Sequence, residues 1–260
     1  MSTDQRNAEA TPGSLWDRAP DHLAYRGARE NITALVGDRT GAADVPVPAC
    51  PGWTVLDVVG HLLEVCRTVA ADAPGNLWEV PHADSDDGLA GLLDEWSRLD
   101  GRVERVLTES PQLRHTMLMM DAFTHEIDLR GALGAPVVPD HASYPSSLDL
   151  VVRGFSAAVR TLGLPALRIE TPGSDWQAGD GEPAAVVRGH RHDLLRSLTG
   201  RRSLGQIAEL DWSAAPESWL PAFTWGPFRP PQRVAAQPVP VQCGGVDAVR
   251  TAAVRERNLK

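Results

Sequence analysis

Asp121 and His125 stand four residues apart in Leu118-Met-Met-Asp-Ala-Phe-Thr-His-Glu-Ile-Asp-Leu129, where Leu118, Ala122, Leu129 and Ala132 recur at helical spacing. On a helix such residues lie one above the other, so the carboxylate and the imidazole share a face with the apolar side chains. An ionised carboxylate buried on that face without a partner would be costly. The chain is therefore restricted to folds in which another element brings a compensating group to it. His61 stands at the edge of a second helical stripe, Val55, Val58, Leu62, Cys66 and Val69, and Gly60 beside it allows close approach. Two histidines and one carboxylate are a usual ligand set for a catalytic divalent metal that keeps open positions. His61, Asp121 and His125 are thus candidate metal ligands, and Asp128, one turn further on, can orient His125 or pair with a surface cation. The pattern alone leaves open a hydrogen-bonded core histidine and an ordinary helix-surface Asp–His pair.

The surrounding pattern predicts helices over about 21–36, from Thr54 onward, 87–107, 116–133 and 146–162. Thr54 with Asp57 forms a capping-box start after the Pro-rich loop Val45–Gly52, and Gly134 before Pro136 marks a stop. Beyond residue 163 the spacing changes. Leu167–Thr171 and Ala184–Arg188 read as short strands with a turn around Gly179-Asp-Gly181, and Arg191–Leu198 as a helix closed by Gly200. The expected organisation is α plus α+β: a four-helix bundle over 15–145, a smaller α+β domain over 146–230, and flexible tails at 1–14 and 231–260.

A formal charge of −9 argues against binding nucleic acid through its phosphates. Every cationic side chain except Lys260 is Arg, which fits a GC-rich, actinobacterial type of genome. Cys50, Cys66 and Cys243 are too few and wrongly spaced for a disulfide framework or a thiolate zinc site, and Cys50 and Cys66 read as packing residues. Trp53 and Trp176 also read as core. The first residues lack a basic and apolar leader, and no stretch is apolar enough to span a bilayer, so a cytoplasmic location is expected.

Pro48-Ala-Cys-Pro-Gly-Trp-Thr-Val-Leu-Asp-Val-Val-Gly-His61-Leu and Asp121-x3-His125-x2-Asp128-Leu129 resemble two signatures of the mycothiol-dependent maleylpyruvate isomerase family, a branch of the DinB-like metal-binding bundles. Gly179-Asp-Gly-Glu-Pro183, Val187-Arg-Gly189 and Asp193–Arg201 resemble that family's second domain, of sterol-carrier-like topology. The resemblance implies that His61, Asp121 and His125 hold a divalent metal, usually zinc, and that Arg201 contacts carboxylates of an anionic substrate. Where the characterised isomerase has Glu, this chain has Asp121, one methylene shorter. That change bears on the choice of substrate more than on metal binding.

The expected activity is metal-dependent activation of a low-molecular-weight thiol, mycothiol, toward an electrophilic small molecule, as an isomerase or an S-transferase. The alternatives are a non-catalytic protein that binds a metal and a small molecule, and a metal-dependent hydrolase. The sequence leaves the electrophile, the metal in vivo and the oligomeric state open.

Overall fold

The computed structural model describes residues 18–81, 88–109 and 112–232. The expected tails, apart from Pro231 and Gln232, lie outside the described residues, as do His82 and Cys243. Helix α1 (Asp21–Val36), α2 (Val55–Ala70), α3 (Gly88–Glu109) and α4 (Leu113–Ala132) come first. Helix α5 (Tyr144–Thr161) follows, then β1 (Leu167–Thr171), β2 (Ser174–Ala178), β3 (Ala185–Arg188), α6 (Arg191–Leu198), α7 (Leu204–Ala208) and β4 (Asp211–Trp212). The fold is a helical bundle joined to a smaller α+β part with a four-stranded sheet in the order β2-β1-β3-β4.

The start of α2 shows why its histidine is well placed. The Thr54 hydroxyl accepts from the Asp57 amide while the Asp57 carboxylate accepts from the Thr54 amide at 2.8 Å. Two amides that the first turn would leave unpaired are thereby satisfied. Behind the cap, Val55, Val58, Leu62, Cys66 and Val69 are all buried, so α2 is fixed in rotation and His61 is carried toward α4. Helix α1 packs on α4 and α2 on α3, and the Trp96 indole of α3 donates to the Tyr25 hydroxyl of α1 at 2.8 Å inside the bundle.

Helix α5 packs on α4 on one side and on β2 and α6 on the other, so it ties the bundle to the sheet. Two strand expectations are amended. Strand β2 lies between the two expected strands. Its alternation of half-buried Ser174, Trp176 and buried Ala178 with exposed neighbours is short and carries no Val or Ile, so propensity gave it no signal. The Gly179–Gly181 turn accordingly joins β2 to β3, and β1 pairs parallel to β3 rather than forming a hairpin with it.

Candidate metal centre

His61 from α2 and Asp121 and His125 from α4 converge, with their ligand atoms within 4.8 Å of one another. His61 Nε2 stands 3.4 Å from Asp121 Oδ2, and His125 Nε2 stands 3.6 Å from Asp121 Oδ1. These separations are long for hydrogen bonds. They suit two ligands of one cation, since bonds of about 2.0–2.1 Å put tetrahedral ligands ~3.4 Å apart.

The opposite ring nitrogens decide which lone pairs are free. His61 Nδ1 lies 3.0 Å from the Val80 carbonyl, in the turn that follows Leu77–Glu79. His125 Nδ1 lies 3.2 Å from Asp128 Oδ2. Both acceptors call for a proton on Nδ1, which leaves Nε2 of each ring with its lone pair toward Asp121. Asp121 Oδ2 is buried and makes no hydrogen bond. An orphaned carboxylate oxygen facing two imidazole lone pairs is the environment a divalent cation satisfies, so the residues fit a metal.

Burial pushes the Asp121 pKa up, but His125, His61 and Arg201 outweigh it and hold the carboxyl below its usual range. Burial pushes His61 down, and Asp121 together with the Val80 carbonyl more than offsets this, raising it. A proton on His61 Nε2 would thus compete with a cation for the same place, and the affinity for such a cation would drop as the pH is lowered.

Beneath the centre, Asp128 is buried and collects donors. Arg196 Nη1 bonds its Oδ1, and Arg201 Nη2 donates to Oδ2 at 2.9 Å. Cys50 Sγ lies 3.5 Å from the same Oδ2. Burial raises the Asp128 pKa, but Arg201 and Arg196 reverse this and hold the carboxyl well below its usual value. Arg196 is the largest departure from the sequence reading, which did not single it out. It follows Leu194 and Leu195 on a buried helix, and its partner is on another element far back in the chain, where no spacing rule reaches.

Cys50 and Trp53 are also placed differently from the packing role expected of them. Both line a cleft of about 780 Å³ with His125, Gly200, Arg201 and Arg229. The Trp53 ring lies 5.2 Å from that of His61. Cys50, His125 and Asp128 form a second group at ligating distance. Two guanidiniums already neutralise Asp128, which makes that group a poor cation site. Burial, then Asp128, push the Cys50 pKa up to about 12, so its sulfur stays a thiol. Nearby, Glu64 pairs with Arg67 and Arg202 with Asp193, and Trp176, read from the sequence as core, is half-buried and donates to Asp149.

Residues 25–130 match the family model described as mycothiol maleylpyruvate isomerase N-terminal domain. The matched segment holds His61, Asp121, His125 and Asp128, whereas Arg196 and Arg201 come from outside it. Over 233 residues the chain is 28% identical to an uncharacterized protein of Mycobacterium tuberculosis, found in two strains, with 74% of this chain and 89% of that protein covered. Crystal structures of the mycothiol-dependent maleylpyruvate isomerase and of a histidine-to-alanine mutant align at 13% and 12% identity, each with a TM-score of 0.49, covering 78% of this chain and 97% of theirs. Among the described residues, no helix is long and apolar enough to cross a membrane.

Proposed function

We propose that this protein is a divalent-metal enzyme that activates a low-molecular-weight thiol, mycothiol, for addition to an electrophilic small molecule, as an isomerase or S-transferase. The observation that carries this reading is the pairing of two Nε2 lone pairs with an orphaned Asp121 oxygen beside an open cleft. The thiol is suggested by the mycothiol maleylpyruvate isomerase family that residues 25–130 match. His61, Asp121 and His125 would hold the metal, zinc in this proposal. A metal so held acts as a Lewis acid that lowers the pKa of a bound thiol to near neutrality.

The chain's own residues do the rest. Asp128 positions His125 by accepting a hydrogen bond from its Nδ1–H, and Arg196 and Arg201 keep Asp128 ionised for that task. Without a metal, the charges of Asp121, Asp128, Arg196 and Arg201 sum to zero. The four residues therefore add no net charge of their own to oppose a thiolate, which a bound dication would favour over the thiol. Trp53, in the cleft wall, lies with its ring 5.2 Å from that of His61 and would restrict water at that edge of the centre. Cys50, kept protonated, does not compete as a nucleophile. The three ligating side chains leave room for an exogenous ligand, which supports an enzyme over a structural metal site.

Metal analysis of the purified protein comes first. About one equivalent of zinc is expected, falling to background in a folded His125→Ala variant. A screen of electrophiles should then show conjugation or isomerisation only with mycothiol present. Turnover without any thiol would favour the hydrolase reading, and stoichiometric metal in His125→Ala would sink the ligand assignment. The division into domains at 15–145 and 146–230 is part of this proposal, and limited proteolysis that yields no bundle-sized fragment would count against it.

A further inference from the structure

Arg201, the arginine that resembles the family's carboxylate-binding residue, already has its partners. Its Nη2 donates to Asp128 and its Nη1 to the Thr199 carbonyl at 2.7 Å, while its Nε is buried with no partner. An incoming anion would have to compete with a buried internal carboxylate for it. A second arginine borders the same cleft without that competition. Arg229 is exposed, and its Nη1 donates to the Gly226 and Phe228 carbonyls at 2.8 Å each. Among the described residues it has no carboxylate partner, and its Nε and Nη2 carry no bond. The two carbonyls hold the guanidinium in place without neutralising it, which lowers the entropy lost when a ligand is bound.

The backbone beneath Arg229 is fixed as well. Gly200 adopts a left-handed φ of 69°, and a Cβ there would sit 2.8 Å from the Arg229 amide nitrogen and 2.9 Å from its carbonyl oxygen. The strand-like turn Trp225–Phe228 closes on itself, and the Trp225 indole is pinned to the Leu198 carbonyl at 3.0 Å. The same cleft has a largely apolar part of its wall, made by Pro48, Pro51, Pro230 and the rings of Trp53 and Phe228.

We infer that Arg229 is the anion-recognising residue of this cleft, and that the ligand it selects is a small carboxylate with an apolar, planar body. A carboxylate matches the free edge formed by Nε and Nη2, which can donate two parallel bonds. The inference rests on the proposed function only in taking this ligand to be the electrophile; the recognition itself needs neither metal nor thiol.

The test is calorimetric titration of benzoate and of its uncharged isostere benzamide into zinc-loaded and zinc-free protein. Benzoate should bind zinc-free wild-type protein about tenfold or more tightly than benzamide. Arg229→Gln should abolish that preference while zinc content, which also reports an intact fold, stays unchanged. No benzoate binding by the wild type, or equal preference in Arg229→Gln, would overturn the inference. A preference present only with zinc would also overturn it, since the carboxylate would then be ligating the metal. Should His125→Ala retain its zinc while the Arg229-dependent preference persists, the metal assignment falls and this inference stands.

Discussion

Replacing Asp128 by Asn is the sharpest perturbation of the centre because it removes a charge while keeping the shape. Four donors converge on the two Asp128 oxygens: Arg196 Nη1, Arg201 Nη2, His125 Nδ1 and the Cys50 thiol. An asparagine offers one acceptor oxygen and an NH2 group, so at least one donor must face another donor. It also strands two guanidiniums, one of them only 1% exposed. Removing one partner of a buried ion pair typically costs ~3–5 kcal/mol. For a domain of this size, 1 kcal/mol corresponds to roughly 2–4 °C, so Tm should fall by ~6–20 °C. Loss of the acceptor that orients a ligating histidine should weaken metal binding by about tenfold to a hundredfold. Thermal unfolding by circular dichroism and zinc competition against a chelator measure the two effects. A Tm within ~3 °C of wild type together with unchanged zinc affinity would refute the account of Asp128 as the keystone of the site.

Cys50→Ala should leave zinc stoichiometry unchanged, because the group it forms with His125 and Asp128 is already neutralised by arginines; loss of zinc would move the metal to that group. His192, 8% exposed and facing the Tyr144 hydroxyl at 3.2 Å, is pushed down to about 4 by burial and then by Arg196. The unfolded chain therefore takes up this proton first, so its stability cost is absent above pH ~6.5 and grows as pH falls toward 4, by about 3 kcal/mol in all. Denaturant unfolding of His192→Leu should show a flatter acid slope than wild type, and identical slopes would count against this. Gly200→Ala should lose ~1–3 kcal/mol from the left-handed backbone and the contact with Arg229, and should weaken benzoate binding alongside; an alanine variant as stable as wild type would contradict the close approach.

The elements with strong periodicity were legible in the sequence. The capping box at Thr54, the buried stripe behind it, the glycine that ends α4 and the helix from Arg191 to Leu198 follow from local rules, and the structure has them. Strand β2 escaped because it borrows its strand state from β1 rather than from its own residues. At the centre, spacing on α4 explains why Asp121, His125 and Asp128 lie along one side of a helix. It says nothing of the Val80 carbonyl that fixes the His61 ring, since that contact comes from a turn with no recognisable pattern. Arg196 beneath Asp128 was hidden for the same reason, and so was the pairing of Arg201 with that carboxylate. A charged residue beside two leucines is read locally as a rim residue, and only the tertiary fold supplies the counter-charge that lets it be buried.

The arginines under Asp128 also bear on how such a chain can be cut and recombined. The proposed ligands lie in the first half of the sequence, whereas the charges that pair with Asp128 beside His125 arrive with the second. A bundle transplanted without its own C-terminal part would keep the metal-binding motif intact to any reader of its sequence. It would nonetheless carry Asp128 with neither arginine to balance its charge, left only with His125 and the Cys50 thiol as donors. Exchange between relatives is therefore constrained to move both halves together, or to replace Asp128 and both arginines in one step.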